Sequence, residues 1–192
     1  MALVLTSGPA VEPVTLAEAK AHLRVDGTAE DTLIGSLIIT SRLHIEAALG
    51  LALITQGWSY FLDDWPPGRE VALPLRPVQS ITAVKLYAAD ESLETLAAGS
   101  YLLDGGGSPA RLVRRTNAAW PKPSRPAGGI EIAFIAGYGD AAASVPAPIR
   151  QAILLLIAHW YEHREPVEVG SASVPVPPMV SDLLQPYRMI RL

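Results

Sequence analysis

His159-Trp160-Tyr161-Glu162-His163 is the part of the chain that looks most like catalytic machinery. Histidines four residues apart share one helix face, and the His-x-x-Glu-His order matches an inverted zinc-protease motif. The chemistry would be zinc-dependent hydrolysis, with His159 and His163 as ligands and Glu162 as general base. A catalytic zinc needs a third protein ligand, usually a carboxylate well downstream on another helix. Here 29 residues follow His163, most of them in a proline-rich stretch. Glu165 and Glu168 lie too close in sequence to complete the set comfortably. The string therefore reads first as a polar helix edge or subunit contact, and a zinc-dependent hydrolase is the alternative.

Other candidates are weaker. Asp63 and Asp64 are adjacent, so in a strand they point apart and cannot converge on one substrate as an acid–base pair. Gly105-Gly106-Gly107 has no following Lys-Ser/Thr and opens no helix, which makes it a turn and not a phosphate loop. No Gly-x-Ser-x-Gly elbow is present. No catalytic, cofactor-binding or metal residue is assigned. A basic cluster of Arg111, Arg114, Arg115 and Lys122, with Arg125 and Trp120 nearby, could touch a phosphate backbone. It makes a DNA-binding accessory subunit the other alternative.

Composition narrows the field. The 192 residues hold 15 Lys+Arg and 19 Asp+Glu, a net charge of −4, so tight non-specific binding to DNA is not expected. With no cysteine, disulfides, thiolate zinc sites and cysteine nucleophiles are excluded. Hydrophobic residues make up 49% and charged residues 18%, which favours a folded chain with apolar surface to spare. The N-terminal stretch lacks the basic and apolar regions of a secretory signal, and no membrane association is expected.

The elements that must position these residues read as α+β. Residues 1–14 are expected as an extended arm. Thr15 with Glu18 has capping-box spacing before a short helix, Leu16–Leu23. Thr28 opens a second helix with a stripe of Leu33, Ile34, Leu37, Ile38, Ser41, Ile45 and Ala48, stopped by Gly50. His44 sits near that stripe's edge. Strands are expected at Thr55–Leu62, Val71–Leu75, Ile81–Tyr87, Tyr101–Leu103, Arg111–Val113 and Ile130–Ala136. Pro146-Ala147-Pro148 starts a long helix whose broad apolar face includes Ile149, Ile153, Leu156, Ile157, Trp160 and Tyr161. The expected organisation is therefore 1–54 as arm and helices, 55–139 as an inserted antiparallel β unit, 140–164 as a long helix packing with the first two, and 165–192 as linker and tail. Ile153, Leu156, Trp160 and His163 are the candidate subunit contacts.

The C-terminal tail is unusually apolar for a terminus. Met179, Leu183, Leu184, Tyr187, Met189, Ile190 and Leu192 follow a Pro/Val/Ser linker, and Met179–Leu184 has the makings of one or two helical turns. Such a tail either folds back on its own domain or docks into another chain, and docking is the favoured reading.

Several segments in order resemble a known family. They are Pro13-Val14-Thr15-Leu16-Ala17-Glu18-Ala19-Lys20-Ala21-His22-Leu23-Arg24-Val25, the Asp31-Thr32-Leu33-Ile34 helix start, Leu73-Pro74-Leu75-Arg76-Pro77-Val78, Ile135–Gly139, Val145–Ile153 and Tyr161–Glu165. The sequence is similar to head–tail connector (adaptor) proteins of long-tailed phages and gene transfer agents. The resemblance implies a non-enzymatic subunit of a dodecameric ring between the portal and a stopper or other tail-side protein. It implies a location in the neck of a virion or phage-like particle, after synthesis in the bacterial cytoplasm, with DNA passing through the ring's channel. It also implies that the C-terminal segment reaches the portal, here through Met179, Leu183, Leu184, Tyr187 and Arg188. The β insertion departs from the smaller, nearly all-helical members.

Overall fold

The computed structural model describes residues 1–115, 119–163 and 176–189. The chain divides into two units, residues 10–49 with 139–192, and residues 1–9 with 50–138.

The first unit is helical. Helix α1 spans Leu16–Leu23. At its start the Glu18 N–H donates to Thr15 Oγ1 (3.2 Å), and the Thr15 N–H donates to the Glu18 carboxylate (2.8 Å), so both halves of the capping box form. Arg24 ends the helix in a left-handed conformation, φ 57°. Helix α2 spans Asp31–Leu49, three residues later than the Thr28 start expected. Residues 28–30 form a turn, in which the Thr28 carbonyl accepts from the Asp31 N–H. Gly50, at φ 63°, stops α2 in the left-handed region that favours glycine. Helix α3 spans Ala147–Glu162 and helix α4 spans Pro178–Leu184, followed by a 3-10 turn over Gln185–Tyr187.

Helix α3 packs against α1, α2 and α4. The unit's buried apolar groups include Ile34, Ile38, Ile45 and Leu49 from α2 and Ile149, Ile153, Leu156 and Ile157 from α3. Val180 and Leu184 of α4 are buried as well. The inward face of α2 is rotated from the expected stripe: Ala48 is exposed, while Arg42 and Glu46 are buried. Charge pairing explains the rotation. Arg42 Nε lies 2.7 Å from Glu12, and Arg42 Nη1 lies 2.8 Å from Glu46 one turn on. Such pairing offsets the cost of removing these charges from water. By length and composition α2 is apolar enough to cross a membrane. Its buried isoleucines and buried ion pair fit a core helix of this unit.

The second unit holds two antiparallel sheets. Strand β1 spans Ala2–Ser7, β2 Gln56–Leu62, β3 Glu70–Ala72, β4 Val78–Tyr87, β5 Leu93–Thr95, β6 Tyr101–Asp104, β7 Arg111–Arg114 and β8 Ile130–Ala136. Five strands form one sheet in the order β1-β2-β8-β4-β5, and three form the other in the order β3-β7-β6. The core gathers Leu62, Val71, Leu73, Val84, Leu86, Leu112, Ile130, Ile132 and Phe134, with Trp58, Tyr60 and Ile81 packed against it. At Gly137 (φ 136°) an added Cβ would lie 2.5 Å from the Ile54 carbonyl oxygen, so only glycine fits there.

Two readings are corrected here. Residues 2–7 are not an arm but an edge strand, with Leu3 opposite Tyr60 and Leu5 opposite Trp58. Ala-Leu-Val-Leu-Thr is a good strand sequence, but its partner lies some fifty residues away, beyond the reach of local pattern. The tail, expected to dock elsewhere, forms the helical turns expected at Met179–Leu184 as α4, and that helix lies back on α3. Residues 164–175 and 190–192, which include Glu165, Glu168, Ile190 and Leu192, lie outside the described residues.

Candidate assembly surfaces

Helix α3 was expected to offer Ile153, Leu156, Trp160 and His163 to neighbouring subunits. Ile153 and Leu156 are fully buried within their own unit, so they build its core and are not available for subunit contact. The apolar face was broad enough to suggest sharing, but α2 and α4 cover it. Trp160 and His163 remain partly exposed. The Trp160 ring meets His44 edge-on at 5.7 Å between centroids. His163 Nδ1 sits 2.8 Å from the His159 carbonyl oxygen, where an N–H would donate to it. His159 is buried and its ring lies 4.7 Å from that of His163. Among the described residues no group of three or more His, Cys, Asp or Glu is arranged to hold a metal. The two histidines stand together at the C-terminal end of α3.

The basic cluster is largely engaged within its own unit. Arg111 pairs with Glu70 at 2.9 Å and with Asp104. Arg115 Nε donates to the Tyr101 carbonyl at 2.9 Å. Arg114 lies over the Trp120 ring, 5.9 Å from its centroid, and Trp120 stacks on Trp65 at 4.2 Å. Lys122 is exposed. Cations already matched by carboxylates, carbonyls and rings make a poor phosphate footprint, because those partners would have to be exchanged. The cluster reads as a brace between strand ends and loops.

The proposed portal-docking residues separate on inspection. Leu184 is buried and anchors α4 to its own unit. Met179, 60% exposed, and Arg188 face outward, while Leu183 and Tyr187 are half-buried. So α4 presents one face inward through Val180 and Leu184 and another outward.

Two apolar surfaces were not singled out in the sequence. On α2, Ile39 and Leu43 are 45% and 53% exposed, one turn apart and off the buried stripe. Ile39 also lines an apolar groove of ≈ 570 Å³ with Val11, Leu16, Gly35, Ala141 and Ala142. On β1, Leu3, Val4 and Leu5 are exposed at a sheet edge. Ile39 and Leu43 are visible in the sequence as apolar residues beside the buried stripe. Nothing local identifies residues 2–7 as an edge strand.

A carboxylate network lies on the face of the five-stranded sheet away from Phe134. Glu131 accepts from Ser59 Oγ (2.7 Å) and Tyr87 OH (2.6 Å), and pairs with Lys85 at 3.2 Å. Burial alone would raise its pKa, but the hydrogen bonds from Tyr87, Ser59 and Lys85 reverse this and hold it below the ordinary value. Each side chain in the network has a polar partner, which suits a brace across β2, β8 and β4.

Comparison with known proteins agrees with an assembly role. The profile of the family described as "Phage gp6-like head-tail connector protein" matches residues 13–94. No curated protein matches. Among solved structures, a chain from the neck of an empty gene transfer agent particle, computed with C6 symmetry, is 27% identical with a TM-score of 0.85, covering 100% of this chain and 97% of that one. A chain from the virion of a native gene transfer agent particle is 28% identical at TM-score 0.83, with the same coverage. A third, from the neck of a native particle computed with C12 symmetry, is 29% identical at TM-score 0.76, covering 98% and 97%. The family match spans α1, α2 and strands β2 to β4, and the structural likeness spans both units.

Proposed function

We propose that this chain is a non-enzymatic adaptor subunit in the neck of a phage-like particle, forming a ring between the portal and a tail-side protein and leaving a channel for DNA. The observation that carries the reading is likeness over the whole chain, β strands included, to chains of gene transfer agent neck and virion structures. The C12 symmetry of one such neck supports a dodecamer here. A net charge of −4 suits a conduit, because a strongly basic lumen would retain DNA.

The portal contact falls to the outward face of the α4 segment, through Met179, Leu183, Tyr187 and Arg188. Leu184 drops out of the contact and serves as the anchor. Trp160 and His163 remain for contact between copies. A pull-down on immobilised portal tests the assignment. Met179→Asp/Tyr187→Ala should cut retention at least tenfold with an unchanged circular dichroism spectrum. Undiminished retention would remove α4 from the portal contact.

A further inference from the structure

The five-stranded sheet has two open edges, and they match. Strand β1 has six residues, and its side away from β2 meets no other strand among the described residues. At the opposite edge β5 covers only the end of β4, pairing with Lys85, Leu86 and Tyr87. The Val84 carbonyl accepts from the Leu96 N–H. That leaves Val78–Ala83 of β4, also six residues, with no strand on its outward side among the described residues. Neither stretch carries a charge or a proline: one reads Ala-Leu-Val-Leu-Thr-Ser, the other Val-Gln-Ser-Ile-Thr-Ala. Soluble proteins usually guard such edges with lysine, proline or a covering loop, because free N–H and C=O rows recruit other strands.

We infer that neighbouring copies of this chain join edge to edge, β1 of one copy adding antiparallel to the outward side of β4 residues 78–83 of the next. The inference rests on the ring reading above and specifies one of the ring's contacts. A ring is built from two different surfaces that meet head to tail, and the two edges of one sheet are such a pair. Strand direction is settled by topology. Successive neighbours in the order β1-β2-β8-β4 are antiparallel, so β1 and β4 run oppositely, and a repeat that preserves orientation makes the new pair antiparallel.

Side chains agree with that geometry. Leu3 and Leu5 lie opposite Tyr60 and Trp58, on the face that carries the core, yet they are 36% and 47% exposed. Ile81 pairs with Phe134, so it stands on the same face, and it is only partly buried. A head-to-tail repeat keeps the core faces on one side, which brings Ile81 of the neighbouring copy beside Leu3 and Leu5. Each junction would then bury apolar area now facing water and satisfy two rows of backbone groups.

The chain has no cysteine, so engineered pairs report without background. Val4→Cys/Ser80→Cys and Val4→Cys/Thr82→Cys variants would be assembled on purified portal, oxidised and run without reductant. One of the pairs should give a ladder running from dimer to closed ring, and Val4→Cys alone should stay monomeric. Leu3→Lys/Leu5→Lys, at exposed positions, should lower ring occupancy at least tenfold while retaining the wild-type circular dichroism spectrum. Wild-type rings with no ladder from either pair, or full occupancy for the lysine variant, overturn the edge contact and leave the adaptor reading standing. A dimer from Val4→Cys alone would show β1 pairing with β1, which also overturns it. A wild-type chain that forms no ring removes both readings.

Discussion

The helical unit and the β unit bury charge in opposite ways. In the helical unit ion pairs fasten segments distant in sequence. Arg42 ties the entry segment to α2 through Glu12 and Glu46, and Arg150 reaches both Glu18 and the Pro13 carbonyl. Burial works against the Arg42 charge, but hydrogen bonds and attraction from Glu12 and Glu46 raise its pKa overall. In the β unit one carboxylate, Glu131, sits in the sheet with three side-chain partners, and the open strand stretches 2–7 and 78–83 carry neither charge nor proline, only irregularities of register. One unit uses charge to fix how its chain enters. The other buries one carboxylate in its larger sheet and leaves that sheet's open stretches uncharged. A surface without charge is suited to being covered, and that points to the β unit as a contributor to assembly as well as to structure.

Core substitutions should separate the units most strongly. Phe134→Ala in the β unit and Ile153→Ala in the helical unit each remove a large, fully buried group. Each should cost about 2–5 kcal/mol of stability, measured by urea unfolding. Fluorescence assigns the loss, because Trp58, Trp65 and Trp120 lie in the β unit and Trp160 in the helical unit. A cost under about 1 kcal/mol at either site would contradict the burial described.

Next in size is Glu131→Gln, which removes the carboxylate but keeps the shape. At pH 7 it should cost about 1–3 kcal/mol, the range for hydrogen bonds to a buried charged group. The sign with pH follows from the lowered pKa. The folded state holds the proton less tightly than the unfolded chain. Stability from the carboxylate is therefore complete above the unfolded pKa of about 4.3 and is lost as pH falls through the folded value. Wild-type and variant urea midpoints should converge below about pH 4. Midpoints that stay parallel down to pH 3 would show that Glu131 is not ionised in the folded state.

The smallest effect belongs to the α1 start. Thr15→Ala removes the capping hydroxyl and should cost about 1 kcal/mol. Thr15→Ser should recover most of it. Equal losses from both would show that the hydroxyl is not what matters there.

The helices were easy to find in the sequence because their signals are local. Thr15 and Glu18 sit three apart, Gly50 follows the last apolar turn, and Pro148 suits a first turn. Burial of Arg42 and Glu46 was not legible, since Arg42's second partner, Glu12, lies thirty residues away in sequence. The strand Ile130–Ala136 announced itself by alternation, but the order β1-β2-β8-β4-β5 depends on pairings across most of the chain. The candidate surfaces followed the same divide. The outward-facing Met179 and Arg188 came from local apolar and basic character beyond a linker. The inward burial of Ile153, Leu156 and Leu184 depended on which helices cover α3 and α4. The exposed edge of β1 required knowing that β1 is a strand at all.

Electron microscopy of the purified chain mixed with its portal tests the central claim most directly. The account predicts rings of this chain stacked coaxially on the portal with twelvefold symmetry and an open central channel. Portal particles that remain bare at saturating concentrations of a folded chain would contradict it.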